Sequence, residues 1–387
     1  MKRPILFAIS LLMTISAVAQ DYQTHFQSAT EPQTLLPNIP RASARHEIFL
    51  PNVNGYTPYK ADLHMHSTYS DGVMKYAGKG RVYEAWRDGL DVIAVTDHMG
   101  IKLYEDKKGV TTPDDAKAKK GNRPTQAVND AVKLAGDYGL LVIPGVELTG
   151  DPKILGHFNA LFTTDNKIIY DYDPMQSIRN ARAQGALIMH NHPGWRQTTL
   201  EMNEFVKSVY AEKLVDGIEI MNGAYFYPRA IETAKQNKYF FAATTDIHGT
   251  TAETYREVGH LRNMTLIFAK ELTSEAIREG LESRRTLAYS FGVLSGEEDL
   301  LRDFFKASVE TRKLAVSVSK SKKKSQRVML TNKSSIPYTL RFGKGNPVVL
   351  PPLSSIIVST KVGKPLQFTV TNLWYGVDQH PVIKLKY

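Results

Sequence analysis

Short apolar runs alternate with helix-like segments over most of this chain, and this alternation restricts its fold more than any other feature. Each run is four to six residues long, and helical patterns of about ten to fifteen residues separate several of them. Strands that are apolar on both faces are typical of parallel sheets covered by helices. The pattern predicts an α/β fold, with enough repeats to favour a closed barrel. The runs occupy residues 91–96, 140–144, 186–189, 217–221, 240–244 and 264–268.

The pattern of polar and apolar residues divides the chain into a leader, a large α/β domain and a small β domain. Its 387 residues are enough for two domains. Residues 20–58 are polar and contain scattered prolines, so we predict an N-terminal leader segment there. Residues 59–305 carry the barrel pattern. Residues 311–387 contain only short β-branched runs between turn residues, which predicts a C-terminal all-β sandwich.

The first nineteen residues have the pattern of a signal peptide. Lys2 and Arg3 precede an apolar run over residues 5–19, and Ala17 and Ala19 have the small-residue spacing of a cleavage site. This run is shorter than the roughly 20 residues that a membrane-spanning helix requires. We therefore expect residues 1–19 to be removed and the protein to be exported, either to a periplasm or into the medium.

The chain contains no cysteine, which excludes disulfides, thiolate metal sites, iron–sulfur clusters and cysteine nucleophiles. It contains eleven histidines, of which eight lie between positions 64 and 260, and most of these eight follow an apolar run. Parallel barrels place their chemistry on the loops that follow their strands. Neutral imidazole and carboxylate oxygen are ligands of borderline divalent metals. The pattern predicts a polynuclear metal site with mixed histidine and carboxylate ligands, drawn from six clusters at residues 62–72, 96–98, 145–147, 156–159, 190–193 and 246–248.

The motifs DLHMHS, SDG, TDH, GVE, GH, NHP and DIH occur in this order between residues 60 and 290. This series resembles the polymerase and histidinol phosphatase (PHP) superfamily. The resemblance implies a distorted (β/α)7 barrel that binds two or three divalent ions, with Zn, Mn and Fe all found in the family. The exported start, the strings NHPGW and MTLIFAKE, and the β-rich tail resemble the narrower Sb-PDE group of phosphodiesterases.

The resemblance also distributes the predicted ligands over three metal sites. Many relatives have histidine where this chain has Asp71, so the third site departs most from the family pattern. The implied sites are a first of His64, His66, Glu147 and Asp246, a second of Glu147, His157 and His192, and a third of Asp71, His98 and His248.

These residues suggest a hydrolytic mechanism. Two cations bridged by Glu147 would lower the pKa of a shared water, and the resulting hydroxide would attack a phosphodiester in line. His260 is the candidate acid for the leaving group, and Arg196 and Arg262 are candidate phosphate-binding cations. Asp97 is expected to orient the region around His98.

Several substrates remain compatible with the residues alone. The expected partner is a small organic phosphate ester, and a diester fits the narrower resemblance. A phosphatase acting on small phosphomonoesters is the alternative within the same class. A His/Asp/Glu polynuclear site can also cleave amides or lactones, which would make the protein a metallohydrolase of a different class.

The positive charge is concentrated at the C-terminus. The whole chain carries +10, whereas residues 311–387 alone carry fourteen Lys and Arg against the single acid Asp378. The rest of the chain is therefore slightly acidic. The basic module either makes a weak contact with an anionic cell surface or serves only to keep a small domain soluble. Its lysines lack interleaved aromatic residues, so no nucleic-acid partner is expected, and the oligomeric state stays open.

Overall fold

A computed structural model describes residues 45–72, 77–100, 113–195 and 201–387. From Arg45 to Tyr387 the chain forms one compact unit. The predicted signal peptide, most of the predicted leader and Arg196 lie outside the described residues. Among the helices in these ranges, none has the length and apolar character needed to cross a membrane.

Two seven-stranded sheets form the larger part of the molecule. Their spatial orders are β20-β13-β12-β11-β1-β2-β4 and β10-β8-β7-β6-β5-β3, with β9 paired to β8. The first contains β1 Thr57–Met65, β2 Val92–Val95, β4 Leu141–Val142, β11 Met264–Ala269, β12 Thr286–Ser290, β13 Val293–Gly296 and β20 Leu373–Trp374. The second contains β3 His98–Gly100, β5 Gly145–Thr149, β6 His157–Leu161, β7 Leu187–His190, β8 Gly217–Asn222, β9 Tyr225–Phe226 and β10 Phe240–Thr244.

The strands are partly antiparallel, which differs from the parallel repetition that the sequence predicts. Strands β1, β2 and β4 are parallel, and so are β7, β8 and β10, but β6 runs antiparallel to both β5 and β7. Seven residues separate β5 from β6, which is too short for a crossover helix. Phe291 and Gly292, both with positive φ, likewise turn β12 directly into β13.

Seven α-helices are present in the described residues. The last of them was not predicted, because Glu297, Glu298, Asp299 and Asp303 give its start the character of an acidic surface segment. The spacing of Leu301, Phe304 and Phe305 in fact produces one apolar face, and all three side chains are buried. The helices are α1 Ala77–Arg87, α2 Pro113–Ala135, α3 Pro174–Ala183, α4 Glu204–Ala211, α5 Pro228–Asn237, α6 Ser274–Glu282 and α7 Glu298–Ser308.

The two large sheets meet at the end of β1. The amide of Asp246, two residues after β10, donates to the carbonyl of His64 at 2.9 Å, and Met65 forms a parallel bridge with Ile247. The amide of Thr96 donates to the Met65 carbonyl at 2.8 Å, so the end of β2 joins the same point. Segments that are far apart in the sequence are thereby brought to one edge.

Residues 309–385 form two smaller sheets, which fit the predicted C-terminal β module. On the side of the large sheets, the rings of Phe305 and Tyr338 lie 4.7 Å apart between centroids. Strand β20 leaves the module and pairs in parallel with β13 of the first large sheet. The module's strands are β14 Val309–Val318, β15 Lys324–Asn332, β16 Tyr338–Arg341, β17 Val348–Leu350, β18 Ser355–Thr360, β19 Leu366–Val370 and β21 Val382–Leu385.

Candidate metal centre

Imidazole and carboxylate groups converge where the strands of the two large sheets end or begin. His64 lies on β1, Glu147 on β5, and Asp246 two residues after β10. All nine predicted ligands belong to one or more groups whose nitrogen and oxygen atoms lie within 4.8 Å of one another. The four groups are His64, His66 and Glu147; His64, His192 and Asp246; Glu147, His157 and His192; and His66, Asp71, His98 and His248.

The most buried group surrounds the end of β1. The Nε2 atoms of His64 and His66 are 3.1 Å apart, and both side chains have no solvent exposure. The Nε2 of His64 lies 3.3 Å from Glu147 Oε1 and 3.3 Å from Asp246 Oδ1. The Nε2 of His66 lies 3.0 Å from the same oxygen of Asp246. Four ligand side chains therefore face a common point.

Glu147 is shared with a second group. His157 Nδ1 lies 3.1 Å from Glu147 Oε1, and His192 Nε2 lies 3.6 Å from the same oxygen. His192 adopts a positive φ of 26°, an uncommon conformation for a residue with a side chain. Carboxylates with two oxygens can bridge neighbouring cations, so the central place of Glu147 suits the bridging role that the family resemblance implies.

The third group is more open to solvent than the other two. His98 Nε2 and His248 Nε2 lie 3.2 and 3.3 Å from Asp71 Oδ1, and the Asp71 side chain is 56% exposed. The ring of His66 stacks against those of His98 and His248, with centroids 4.2 and 4.3 Å apart. A ligand from solvent therefore has its most direct access to this group.

The charges of the cluster favour binding of a cation. Burial opposes ionisation of Glu147, but His64 and His157 hold the pKa of this carboxyl well below its usual range. Burial likewise opposes protonation of His64, yet the carboxylates of Asp246, Glu147 and Glu219 raise the pKa of its imidazole well above the ordinary value. The buried carboxylates therefore attract a positive charge to this point, which a proton supplies in the metal-free protein and which a divalent cation can supply by displacing that proton.

A direct test of fit is the chemistry of the donor atoms that face one another. They are imidazole nitrogens and carboxylate oxygens only, and within each of the four groups they lie within 4.8 Å of one another. Borderline divalent cations prefer this mixture of nitrogen and oxygen ligands. The donor set therefore fits a divalent cation.

Neither a family model nor a curated protein matches the sequence. A solved two-domain protein from Bacteroides vulgatus, described as containing a PHP-like metal-dependent phosphoesterase, is 31% identical to this chain. The match covers 89% of this chain and 99% of that one, with a TM-score of 0.76. The chain belongs to the PHP-like metal-dependent phosphoesterase family.

Two further solved structures match this PHP-like chain at lower similarity. A metal-dependent phosphoesterase from Bifidobacterium adolescentis is 14% identical with a TM-score of 0.37, over 59% of this chain and 97% of that one. A lesion-specific endonuclease from Pyrococcus furiosus is 15% identical with a TM-score of 0.41, over 77% of this chain and 70% of that one. The family, together with the ligand groups, makes the chain a metal-dependent hydrolase.

Glu219 supports the metal ligands of this PHP-like chain, and the sequence analysis did not identify it. It is fully buried on β8, where its Oε1 lies 2.8 Å from His64 Nδ1. Its other oxygen accepts from the amide of His192 at 2.5 Å. With Nδ1 of His64 donating to Glu219, the lone pair on Nε2 points into the cluster. The signal in the sequence was a single charge inside the apolar run of residues 217–221.

Replacing Glu219 with glutamine is expected to weaken metal binding by about 10- to 100-fold, since partners of metal ligands contribute effects of this size. The amide would retain the shape but lose the charge that holds the His64 tautomer. Isothermal titration of metal into chelator-treated protein measures the change. Glu212→Gln is the matched control, because Glu212 pairs with Arg179 on the surface. Equal metal affinities for both variants would contradict this role.

Asp97 organises the turn that leads to Asp71, whose carboxylate lies 3.2 Å from His98 Nε2. Its Oδ1 accepts from the amides of Ser67 and Ser70 at 2.8 and 3.0 Å, and both serine hydroxyls donate to its carboxylate. The turn leads to Asp71 and closes at Gly72, where a Cβ would lie 2.8 Å from the His66 carbonyl oxygen. Asp97 therefore positions the loop that carries Asp71.

Arg81 is a second support that the sequence analysis missed. Its guanidinium is fully buried, and Nε donates to the carbonyl of His66 at 2.6 Å. The other two nitrogens donate to the carbonyls of Ile247, His248 and Gly249 at 2.8 to 3.0 Å. One side chain of α1 thus ties the end of β1 to the loop that carries His248.

The predicted acid and phosphate-binding residues are placed differently. Arg262 is 2% exposed, and its Nη2 donates to Asp62 at 2.5 Å, so the geometry makes it an internal counter-ion instead of a free cation for phosphate. His260 is exposed, and its ring packs against Phe291 with centroids 5.0 Å apart. His260 belongs to none of the four ligand groups of the described residues. Arg196 lies outside the described residues.

A cleft opens beside the second ligand group and is lined in part by His157, His192 and Trp195. The ring of Trp195 lies 5.4 Å from that of His157 and 5.2 Å from that of His192, between centroids. An apolar wall directly beside metal-ligand chemistry is a common arrangement for binding the organic part of a substrate.

Proposed function

We propose that this chain is an exported metal-dependent phosphodiesterase acting on small organic phosphate diesters. The observation that carries the proposal is the contiguity of the ligand groups, in which Glu147 belongs both to the group of His64 and His66 and to that of His157 and His192. Neighbouring cation sites suit phosphoryl transfer, because two cations can stabilise the attacking and the leaving oxygen together. The N-terminal segment of residues 1–19 supports export.

Glu147 together with His64, His66 and Asp246 would hold one cation, and Glu147 together with His157 and His192 would hold a second. Asp71, His98 and His248 would hold a third. Bound divalent ions would supply positive charge and lower the pKa of water at the site. Asn191 donates to Glu147 Oε1 at 2.9 Å and so holds this carboxylate in place. The exposed Asp71 group leaves an approach for a charged ester from solvent.

Tyr227 is our candidate hydrogen-bond donor to the substrate. Its hydroxyl is buried and lacks a hydrogen-bond partner among the described residues. Burial and the carboxylates of Glu219 and Asp246 raise its pKa, so the hydroxyl stays protonated at neutral pH. We propose that it donates to an ester oxygen, a role that the placement of His260 leaves open.

We further propose that the two large sheets together form one distorted (β/α)7 barrel. Two observations support closure: the bridge between Met65 and Ile247, and the hydrogen bond from the Asp246 amide to the His64 carbonyl, which both join the end of β1 to the end of β10. Only two residues separate β2 of the first large sheet from β3 of the second, so the chain passes directly from one sheet into the other.

The test uses the purified full-length mature protein, its measured metal content and two chromogenic substrates, bis(p-nitrophenyl) phosphate and p-nitrophenyl phosphate, with Mn or Zn. We expect bound metal and faster turnover of the diester. His64→Ala should abolish turnover of the diester, whereas His46→Ala, at an exposed position before β1, should not. Preference for the monoester would instead indicate a phosphatase. Metal binding without turnover of either ester would indicate an amide or lactone substrate.

A further inference from the structure

One end of the C-terminal module is covered by exposed lysines. The β14–β15 hairpin turns there, and so does the connection between β18 and β19. The pairing of Val316 with Gln326, and of Gln326 with Thr360, places these two turns at the same end of the three-stranded sheet. The exposed lysines are Lys320, Lys322, Lys323, Lys324, Lys361 and Lys364, and we call this surface the lysine end.

No carboxylate side chain of the module balances these charges. Asp378 is the single acid of residues 311–387. It lies in a turn where the amide of Val377 donates to Glu232 of α5, on the side of the large sheets. Glu310 directly precedes residues 311–387 in the sequence. It lies at the opposite end of β14, where it pairs with Lys333. The charge of the lysine end is therefore uncompensated within its own module.

Exposed valines lie among these lysines. Val316 and Val318 near the tip of the hairpin are 44% and 58% exposed, and Val362 in the neighbouring turn is 50% exposed. Single exposed apolar residues are ordinary, but here Val316 and Val318 at the end of β14 and Val362 in the β18–β19 connection lie at the same end of the sheet as the lysines. Apolar tips within a cationic ring suit the boundary between headgroups and acyl chains of an anionic bilayer.

We propose that the lysine end docks the protein onto an anionic phospholipid surface, with Val316, Val318 and Val362 in contact with the lipid. The lysines supply the attraction, and the valines distinguish a bilayer from a soluble polyanion, which offers nothing apolar to bury. This inference is independent of the proposed phosphodiesterase activity, since it concerns a surface outside the ligand groups.

The experiment measures co-sedimentation of the full-length protein with vesicles of phosphatidylcholine alone or mixed with phosphatidylglycerol. We expect binding only to the mixed vesicles, and its loss at about 1 M salt, where the Debye length falls to about 3 Å. Substituting Lys322, Lys323 and Lys324 with glutamine should lower the partition coefficient by roughly 10- to 100-fold. Substituting Val316, Val318 and Val362 with serine should lower it by about tenfold or more.

Matched controls change the same residue types elsewhere. Lys133, Lys153 and Lys167 to glutamine, and Val132, Ile168 and Val258 to serine, alter exposed residues of the larger part of the chain and should leave binding unchanged. Equal binding to both kinds of vesicle would overturn the proposal. Binding to soluble dextran sulfate that is lost with the lysine substitutions but kept with the valine substitutions would also overturn the proposal, because that result identifies an anionic polymer as the partner.

Discussion

Replacement of Glu147 by glutamine is expected to reduce the metal content of the protein and to lower phosphoester turnover by at least 100-fold. Changes to the outer partners of metal ligands already cost about 10- to 100-fold, and Glu147 itself touches the ligand atoms of His64, His98 and His157. The amide loses the negative charge while retaining the shape. Metal analysis by mass spectrometry and turnover at saturating metal measure the two effects.

Glu297→Gln is the control for the Glu147 variant. Glu297 forms a partly exposed ion pair with Arg284, far along the chain from the ligand motifs, so its change should leave both the metal content and the turnover as they are. If the Glu147 variant kept its full metal complement and its turnover, the shared role of this carboxylate would be refuted.

The second large effect is expected from Arg81→Met. Removing this guanidinium would leave Glu84 with a buried, unpaired charge and would take one donor from each of four backbone carbonyls. Breaking a buried pair from one side costs about 3–5 kcal/mol of unfolding free energy. Denaturant unfolding of the metal-free protein measures this loss.

The same variant should bind fewer metal ions, because Arg81 joins the end of β1 to the loop of His248. Arg179→Met removes an exposed guanidinium paired with Glu212 and should leave the unfolding midpoint unchanged. An Arg81 variant as stable as the parent protein would show that the carbonyls find other donors and that the hydrogen bonds of Arg81 are dispensable.

The sequence located the candidate ligands well because their chemistry leaves a local trace. A histidine or carboxylate directly after an apolar run is visible without knowledge of the fold, and barrel strands deliver such residues to one edge. All nine predicted ligands lie in the groups that the structure brings together. Their supports leave less trace. Glu219 sits inside a strand, and Arg81 sits on a helix that begins within an ordinary polar segment.

The sequence alone could not predict which residues pair with partners far away along the chain. Arg262 is separated from Asp62 by two hundred residues, so nothing local distinguishes an internal counter-ion from a free phosphate-binding cation. The direction of β6 was missed for a different reason. Apolar runs report burial on both faces, but the length of the connection decides between parallel and antiparallel pairing.

Strand β20 has a consequence for how this protein can be divided. Leu373 and Trp374 belong to the C-terminal module by sequence but form the outermost strand of the first large sheet. Trp374 also packs edge-on against Phe226, with ring centroids 5.2 Å apart. A chain ending at residue 308 would leave β13 as a bare sheet edge, open to pairing with other molecules. The C-terminal module thus acts as a built-in cap against aggregation, and gene fusions or truncations that discard it remove that protection.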